Sequence, residues 1–284
     1  MSFLCPICGS EKTNKIFEKG DSIVSKRVFY VWFCQGCGVN FTLPFLSKKE
    51  LLPYYNISNY QSYKKHPKSF FDVLYTLVRL CNTKYKARLI STLICGPLLD
   101  YGAGSGFFSS YCRKKDLLAF DHEPINPFGN NNKWSVDAKT LMKQKGFYSV
   151  ITLWHVLEHI NFPEKKLLLL KTLLKKKGRL VVALPNVNSY DNTIYKKHWA
   201  GYDLPRHRFH FNPLSFRFLC NKVGLKITKS FPLFYDSYYV SYLSEKNKNS
   251  SFSFIKGLYT GFVSNHKAKT TKNHSSLIYI LKIK

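Results

Sequence analysis

The segment Leu98-Leu99-Asp100-Tyr101-Gly102-Ala103-Gly104-Ser105-Gly106-Phe107 orders the rest of the chain around it. An apolar run ends in an acid, three glycines alternate with small residues, and a helical pattern then begins. This reads as a buried parallel strand leading into a backbone-lined turn and a helix N-terminus. Glycines at alternate positions remove the Cβ atoms that would hold a ligand away from the main chain.

Outward from this turn, strand and helix patterns alternate, which argues for an α/β chain with a parallel sheet covered on both faces. Strands are expected over 98–101, 117–121, 133–136, 150–154, 179–184, 225–231 and 275–283. Helices are expected over 106–115, 139–145, 163–176 and 213–223. The result is a Rossmann-like sheet of seven strands ending in an antiparallel hairpin. Before it, Phe70, Leu74, Leu77, Val78 and Cys81 recur at helical spacing. The tyrosines Tyr54, Tyr55, Tyr60 and Tyr63 sit in a polar, loop-like lead-in.

The glycine spacing selects the ligand. A nicotinamide site uses G-x-G-x-x-G with a pyrophosphate at the helix N-terminus. Here the spacing is G-x-G-x-G, and Asp100 stands two residues ahead of the first glycine. An acid there repels a pyrophosphate and suits an ammonium, such as the amino-acid end of S-adenosylmethionine. Asp121 ends the second expected strand, where a carboxylate accepts from ribose hydroxyls. Asp137 ends the third and is placed to accept from the adenine amine.

The N-terminus carries Cys5-Pro6-Ile7-Cys8-Gly9 and Cys34-Gln35-Gly36-Cys37-Gly38. Two C-x-x-C knuckles, each followed by glycine, supply four thiolates for a structural, tetrahedral Zn²⁺. A strand over 28–33 between them suits a small zinc ribbon. Such a closed site leaves no open coordination position for catalysis. Cys81, Cys95, Cys112 and Cys220 have no partners at ligand spacing and read as apolar fillers. The expected organisation is a ribbon over 1–45, a helical connector over 46–95 and a main domain over 96–284. Acceptor-side insertions fall at about 186–212 and 232–274.

Asp100–Gly106, Asp121, Ile151-Thr152-Leu153-Trp154-His155-Val156-Leu157-Glu158-His159 and Gly178-Arg179-Leu180-Val181-Val182-Ala183-Leu184-Pro185-Asn186 resemble class I S-adenosylmethionine-dependent methyltransferases. Trp199-Ala200-Gly201-Tyr202-Asp203-Leu204-Pro205-Arg206-His207, with His210-Phe211, narrows the resemblance to a bacterial subfamily with a zinc-ribbon-like N-terminus. Phe234–Tyr239 and Ser275–Tyr279 are similar to that group as well. The resemblance implies methyl transfer, with Asp100, Gly102, Ala103, Gly104, Gly106, Asp121, Asp137, Trp154 and His155 around the cofactor. Two departures stand out: a short segment over 124–132 where the family has a helix, and Tyr148-Ser149 where Phe-Asp is usual.

His155, just past the fourth expected strand, lies where cofactor and acceptor meet in this family. It is a candidate base or acceptor contact, and equally a strand-end cap. The segment 199–210 offers Trp199, Asp203 and Arg206 as acceptor contacts and His207 or His210 as base. The alternative is a loop pinned by its own Asp203–Arg206 ion pair. His155-x-x-Glu158-His159 also matches a metalloprotease string, but that chemistry needs a different fold. Related O-methyltransferases imply Mg²⁺ on Glu158 and His159, with His207 as a further ligand; the alternative is hydrogen bonding within the fold.

The chain has 284 residues, 45% of them hydrophobic, and a formal charge of +28. Its lysines are spread along the sequence rather than clustered, which argues against a dedicated nucleic-acid surface. No apolar run reaches the roughly 18 residues of a membrane helix, no signal-peptide pattern opens the chain, and no membrane partner is expected. A cytoplasmic enzyme acting on a small molecule or glycan precursor is the expectation. RNA or protein is the alternative acceptor, and the oligomeric state is left open.

Overall fold

The computed structural model describes residues 3–21, 24, 25, 27–55, 70–123 and 133–284. Tyr60, Tyr63 and the segment 124–132 lie outside the described residues. The chain opens with three antiparallel strands, β1 (Thr13–Gly20), β2 (Val28–Cys34) and β3 (Asn40–Leu43). The run Val-Phe-Tyr-Val-Trp-Phe in β2 supplies the β-branched and aromatic side chains that a half-buried strand needs. A short helix α1 (Lys48–Tyr55) replaces the expected loop. Its start is fixed by reciprocal bonding, with the Ser47 amide donating to Glu50 Oε2 at 2.9 Å and the Glu50 amide to Ser47 Oγ at 3.3 Å.

After α2 (Phe70–Ser91), strand and helix alternate as β4 (Leu98–Tyr101), α3 (Phe107–Arg113), β5 (Ala119–His122), α4 (Ala138–Lys143), β6 (Tyr148–Trp154), α5 (Pro163–Leu173) and β7 (Leu174–Pro185). The chain then adds α6 (Tyr190–Tyr195) and the two-residue strand β8 (Phe209–His210). Then follow α7 (Pro213–Lys222), β9 (Leu225–Pro232), α8 (Asp236–Asn247), α9 (Ser253–Thr271) and β10 (Ser276–Ile283). The main sheet runs β5-β4-β6-β7-β10-β9; its first four strands are parallel, and β10 is antiparallel to both neighbours.

The strand expected over 133–136 contracts to a single parallel bridge between Asp121 and Ser135. The Asp121 amide donates to Trp134 O at 3.0 Å and Val136 returns a bond to Asp121 O at 2.8 Å. The chain then leaves the sheet because Asp137 caps α4. The helix expected over 163–176 ends at Leu173, and Leu174 is already extended and paired with Tyr148. Fully buried Leu98, Leu99, Val150, Ile151, Val181, Val182 and Ile278 form the interior of the sheet. Each contributes about 1.5–3 kcal/mol relative to exposure.

The N-terminal strands do not stand apart. β3 pairs with β8, so a four-stranded sheet β1-β2-β3-β8 joins the cysteine region to the segment that follows β7.

Candidate cofactor and acceptor site

The turn after β4 is held from below. The amides of Gly102 and Ala103 both donate to His122 O, at 2.7 and 3.2 Å. Gly102 has φ +81°, and a Cβ there would stand 2.3 Å from Val156 Cγ2, so this glycine makes room for the protein's own chain. Gly104 and Gly106 also have positive φ. The Gly104 amide donates to Glu123 Oε2 at 2.7 Å, bringing to the turn a carboxylate that the sequence reading passed over. Its only signal was an acid two residues beyond Asp121.

Asp100 is buried at the strand end and accepts from Thr152 Oγ1 at 2.8 Å. Burial pushes its pKa up to about 7, since losing water penalises the charged form more than the threonine hydroxyl restores it. Asp121 is buried and receives Arg113 Nη1 at 3.3 Å. Asp137 differs from expectation. Its exposed carboxylate accepts from the amides of Lys139 and Thr140 at 2.8 and 2.9 Å and from Thr140 Oγ1 at 2.8 Å, which commits it to starting α4 rather than to an adenine. Trp154 ends β6 with a buried indole N–H that has no hydrogen-bond partner, and Phe108 meets its ring edge-on at 5.1 Å.

Helix α2 brings two cations over this turn that the sequence reading did not single out. Arg79 donates to Ser105 Oγ at 2.5 Å and stacks on Phe107 at 4.2 Å. Lys86 Nζ lies 4.7 Å from the Trp154 ring centre. Burial lowers the Lys86 pKa, and the nearby Asp236 and Asp100 charges only partly oppose it.

His155 follows at φ +56°, a left-handed conformation that costs a non-glycine residue energy. Two carboxylates face its ring: Asp236 Oδ2 is 2.9 Å from Nε2, and Glu158 Oε1 is 3.5 Å from Nδ1. Burial works against its charge, but Asp236 and Glu158 outweigh it and raise the pKa to about 9. For Asp236, burial acts upward, while His155 holds the carboxyl below the ordinary range. Asp236 opens α8, and its signal was an acid at the head of a segment similar to the family.

Behind this pair, Glu158 is buried with no hydrogen-bond partner on either oxygen. One ligand atom each from Glu158, His159 and His207 falls within 4.8 Å of the others. His207 Nδ1 is 2.8 Å from Gly201 O, and His159 Nδ1 is 3.1 Å from both Arg206 O and Tyr55 Oη. Burial, with His207 adding to it, lowers the His159 pKa to about 4.

The remaining acceptor-side candidates turn inward. Arg206 pairs with Asp203 through Nε–Oδ2 at 2.9 Å and donates to Tyr54 O at 3.2 Å. His210 is buried, with Nε2 2.8 Å from Thr42 Oγ1, and burial holds its pKa well below the usual value. Trp199 is buried and donates from Nε1 to Asp191 Oδ2 at 2.7 Å; Asp191 also accepts from Ser264 and Ser275 at 2.8 and 2.7 Å. Acceptor contact by Trp199 and base chemistry at His210 are therefore not what the geometry offers, because both side chains are buried on internal partners.

The four N-terminal thiols do meet. Cys5 Sγ and Cys37 Sγ lie 3.6 Å apart, Cys8 Sγ and Cys34 Sγ 3.5 Å, and no disulfide joins them. Four sulfurs about 2.3 Å from one ion stand about 3.8 Å apart, so the cluster fits a tetrahedral metal. Gly9 and Gly38, one after each knuckle, share φ of +75° and +73°. Lys222 Nζ donates to Ile7 O at 2.8 Å and Asn212 Nδ2 to Gly38 O at 3.0 Å, fastening both knuckles to α7.

No curated protein matches the chain. Among solved structures, geranyl diphosphate C-methyltransferase from Streptomyces coelicolor is similar at 11% identity and TM-score 0.55, over 85% of this chain and 100% of that one. Magnesium protoporphyrin IX methyltransferase from Synechocystis gives 14% identity and TM-score 0.51, over 84% and 100%. The 1,6-didemethyltoxoflavin-N1-methyltransferase of Burkholderia thailandensis gives 12% identity and TM-score 0.50, over 93% and 98%. At such identities these likenesses concern the fold. The methyltransferase-domain family matches residues 67–230, more than half of the chain and the whole span from α2 through β4 and its turn into β9. The chain belongs to this methyltransferase-domain family and is a class I S-adenosylmethionine-dependent enzyme.

Proposed function

We propose that the enzyme methylates a small-molecule or glycan-precursor acceptor, with the cofactor on Gly102–Gly106 and the acceptor beside His155 and Asp236. The observation that carries this reading is the His155–Asp236 pair at the end of β6, one strand from the buried Asp100. When bound, the cofactor supplies an electrophilic methyl group on a sulfonium. Asp100 would hold its ammonium, Arg79 would face its carboxylate, and the Trp154 N–H would gain a partner. Glu123, which now holds the Gly104 amide, would be the carboxylate nearest to the turn for the ribose hydroxyls, with Asp121 held by Arg113.

At neutral pH His155 already carries its proton, and Asp236 is a weak base. The pair therefore orients an acceptor rather than ionising an aliphatic alcohol. The reacting atom must arrive nucleophilic, as an amine or as an oxygen or carbon acid that ionises near neutral pH. The similar enzymes named above, whose acceptors are a porphyrin, a toxoflavin precursor and geranyl diphosphate, support a small acceptor. A charge of +28 supports RNA or an acidic protein as the alternative acceptor. Binding to tRNA that persists at physiological salt would favour that alternative.

Cys5, Cys8, Cys34 and Cys37 are read as the ligands of a structural zinc, in keeping with a reducing, cytoplasmic setting. A second divalent ion on Glu158, His159 and His207 would ligate a buried carboxylate that accepts no hydrogen bond and has His155 as its ion-pair neighbour. A donor set with two imidazoles suits a transition ion better than Mg²⁺.

Incubation with methyl-labelled cofactor and fractionated cell extract, read by mass spectrometry, is expected to place label in a low-molecular-weight product. Label confined to RNA or protein overturns the acceptor reading. Calorimetry separates the cofactor site from that question: Gly104→Asp abolishes S-adenosylmethionine binding, and retained binding overturns the site.

A further inference from the structure

Helices α8 and α9 form a hairpin whose inside and outside are exchanged relative to an ordinary soluble pair. The facing residues are small: Ser237, Ser241 and Ser244 on α8, and Gly257, Gly261, Ser264 and Ala268 on α9, all buried. The backbones touch closely enough that a Cβ at Gly257 would stand 2.5 Å from Tyr242 Cα, and one at Gly261 2.8 Å from Tyr238 Cα. On the opposite side of α9, Ile255, Tyr259 and Phe262 recur at i, i+4 and i+7, with Phe252 one turn ahead. These four side chains are 65, 70, 60 and 76% exposed, respectively. Small residues inside and large apolar ones outside suit a helix pair whose surroundings are not wholly water.

The charge around this face selects its occupant. From Lys246 to the last residue, Lys284, the sequence contains eight lysines and no aspartate or glutamate. Lys256, Lys267 and Lys269 are exposed on α9 itself. A second copy would bring another +28 chain against the first. With lysines in its sequence, α9 is not apolar enough to cross a bilayer, and no described helix is. A helix that buries an aromatic and aliphatic face while lysines meet anionic headgroups lies in the membrane interface.

We propose that the outer face of α9 docks the enzyme on anionic lipid bilayers, with Phe252, Ile255, Tyr259 and Phe262 inserted at headgroup level and the neighbouring lysines on lipid phosphates. The full chain is mixed with phosphatidylglycerol-containing or pure phosphatidylcholine vesicles and sedimented, at low and physiological salt. Co-sedimentation is expected with the anionic vesicles alone. The triple variant Ile255→Ser, Tyr259→Ser, Phe262→Ser lowers the bound fraction at least about tenfold, because it removes the inserted area. Its circular dichroism and S-adenosylmethionine binding stay unchanged, because none of the three side chains is in the core or at the cofactor turn. Three outcomes overturn the proposal: no sedimentation of the parent chain, equal sedimentation of the triple variant, or a parent dimer that the triple variant converts to monomer. An acidic peptide that binds the parent but not the triple variant, with no vesicle binding, likewise assigns the face elsewhere.

Discussion

Asp100 and His155 lie one strand apart and are displaced in pKa by opposite balances of the same forces. At Asp100 burial prevails, and the carboxyl titrates near 7. As a group raised above its unfolded value, it weakens the cofactor-free fold as pH rises from the usual carboxylate range to about 7. An incoming ammonium relieves that penalty. The thermal shift given by S-adenosylmethionine should therefore be larger at pH 8 than at pH 6, and Asp100→Asn should flatten the difference; scanning calorimetry at both pH values checks this. At His155 the two carboxylates prevail over burial, and the pKa is about 9 against an ordinary 6.5. A raised histidine adds stability that is complete below the unfolded value and is lost as pH rises through the folded one. The melting temperature of the parent enzyme should fall between pH 7 and 10, and this fall should shrink in Asp236→Asn. In that variant the NMR titration of His155 should move back toward 6.5.

Whether an element could be read from the sequence depended on where its apolar side chains point. β4, β6 and β7 were legible because parallel strands buried on both faces are continuous apolar runs. The strand expected over 133–136 shortens to one bridge because Asp137, which its strand-end position marks as a cofactor acid, caps a helix that takes the chain out of the sheet. α8 and α9 were not legible at all. Serine and glycine line their shared interface, and the apolar residues face outward, so a search for an apolar core face finds the wrong side. Of the candidate site, the glycine turn, Asp100 and His155 could be read locally. Asp236, Arg79 and Lys86 reach the site only through tertiary packing, and their spacing in sequence carries no trace of it. The tight α8–α9 contact leads to a direct test. Gly257→Leu should destabilise the protein by about 2 kcal/mol or more in chemical denaturation, because the new side chain meets backbone that cannot yield.

At the scale of the whole molecule, the cysteine region and the segment around β8 share one sheet and one core. Cys5, Cys34 and Cys37 pack in the same buried cluster as Leu99, Leu153 and Phe209. Loss of a metal held by these four thiols is therefore expected to act at a distance. Elemental analysis should find a zinc ion held by the four cysteines, and Cys34→Ser or a strong chelator should lower the melting temperature of the entire chain. It should also raise amide exchange at Phe209 and His210, whose strand pairs with β3. An unchanged melting curve after verified zinc loss would mean that the ribbon stands alone energetically.

The pairing of β3 with β8 also has a consequence in time. Thr42 bonds the carbonyl of His207, a residue 165 positions later in the chain. During synthesis, the N-terminal strands leave the ribosome long before the residues that close their open edge. An unpaired edge beside exposed aromatic side chains is an invitation to wrong partners. A metal that gathers the four thiols early would hold the region in register through that interval. The cysteine cluster would then serve the nascent chain first, and the finished enzyme would inherit it as the support beneath β8.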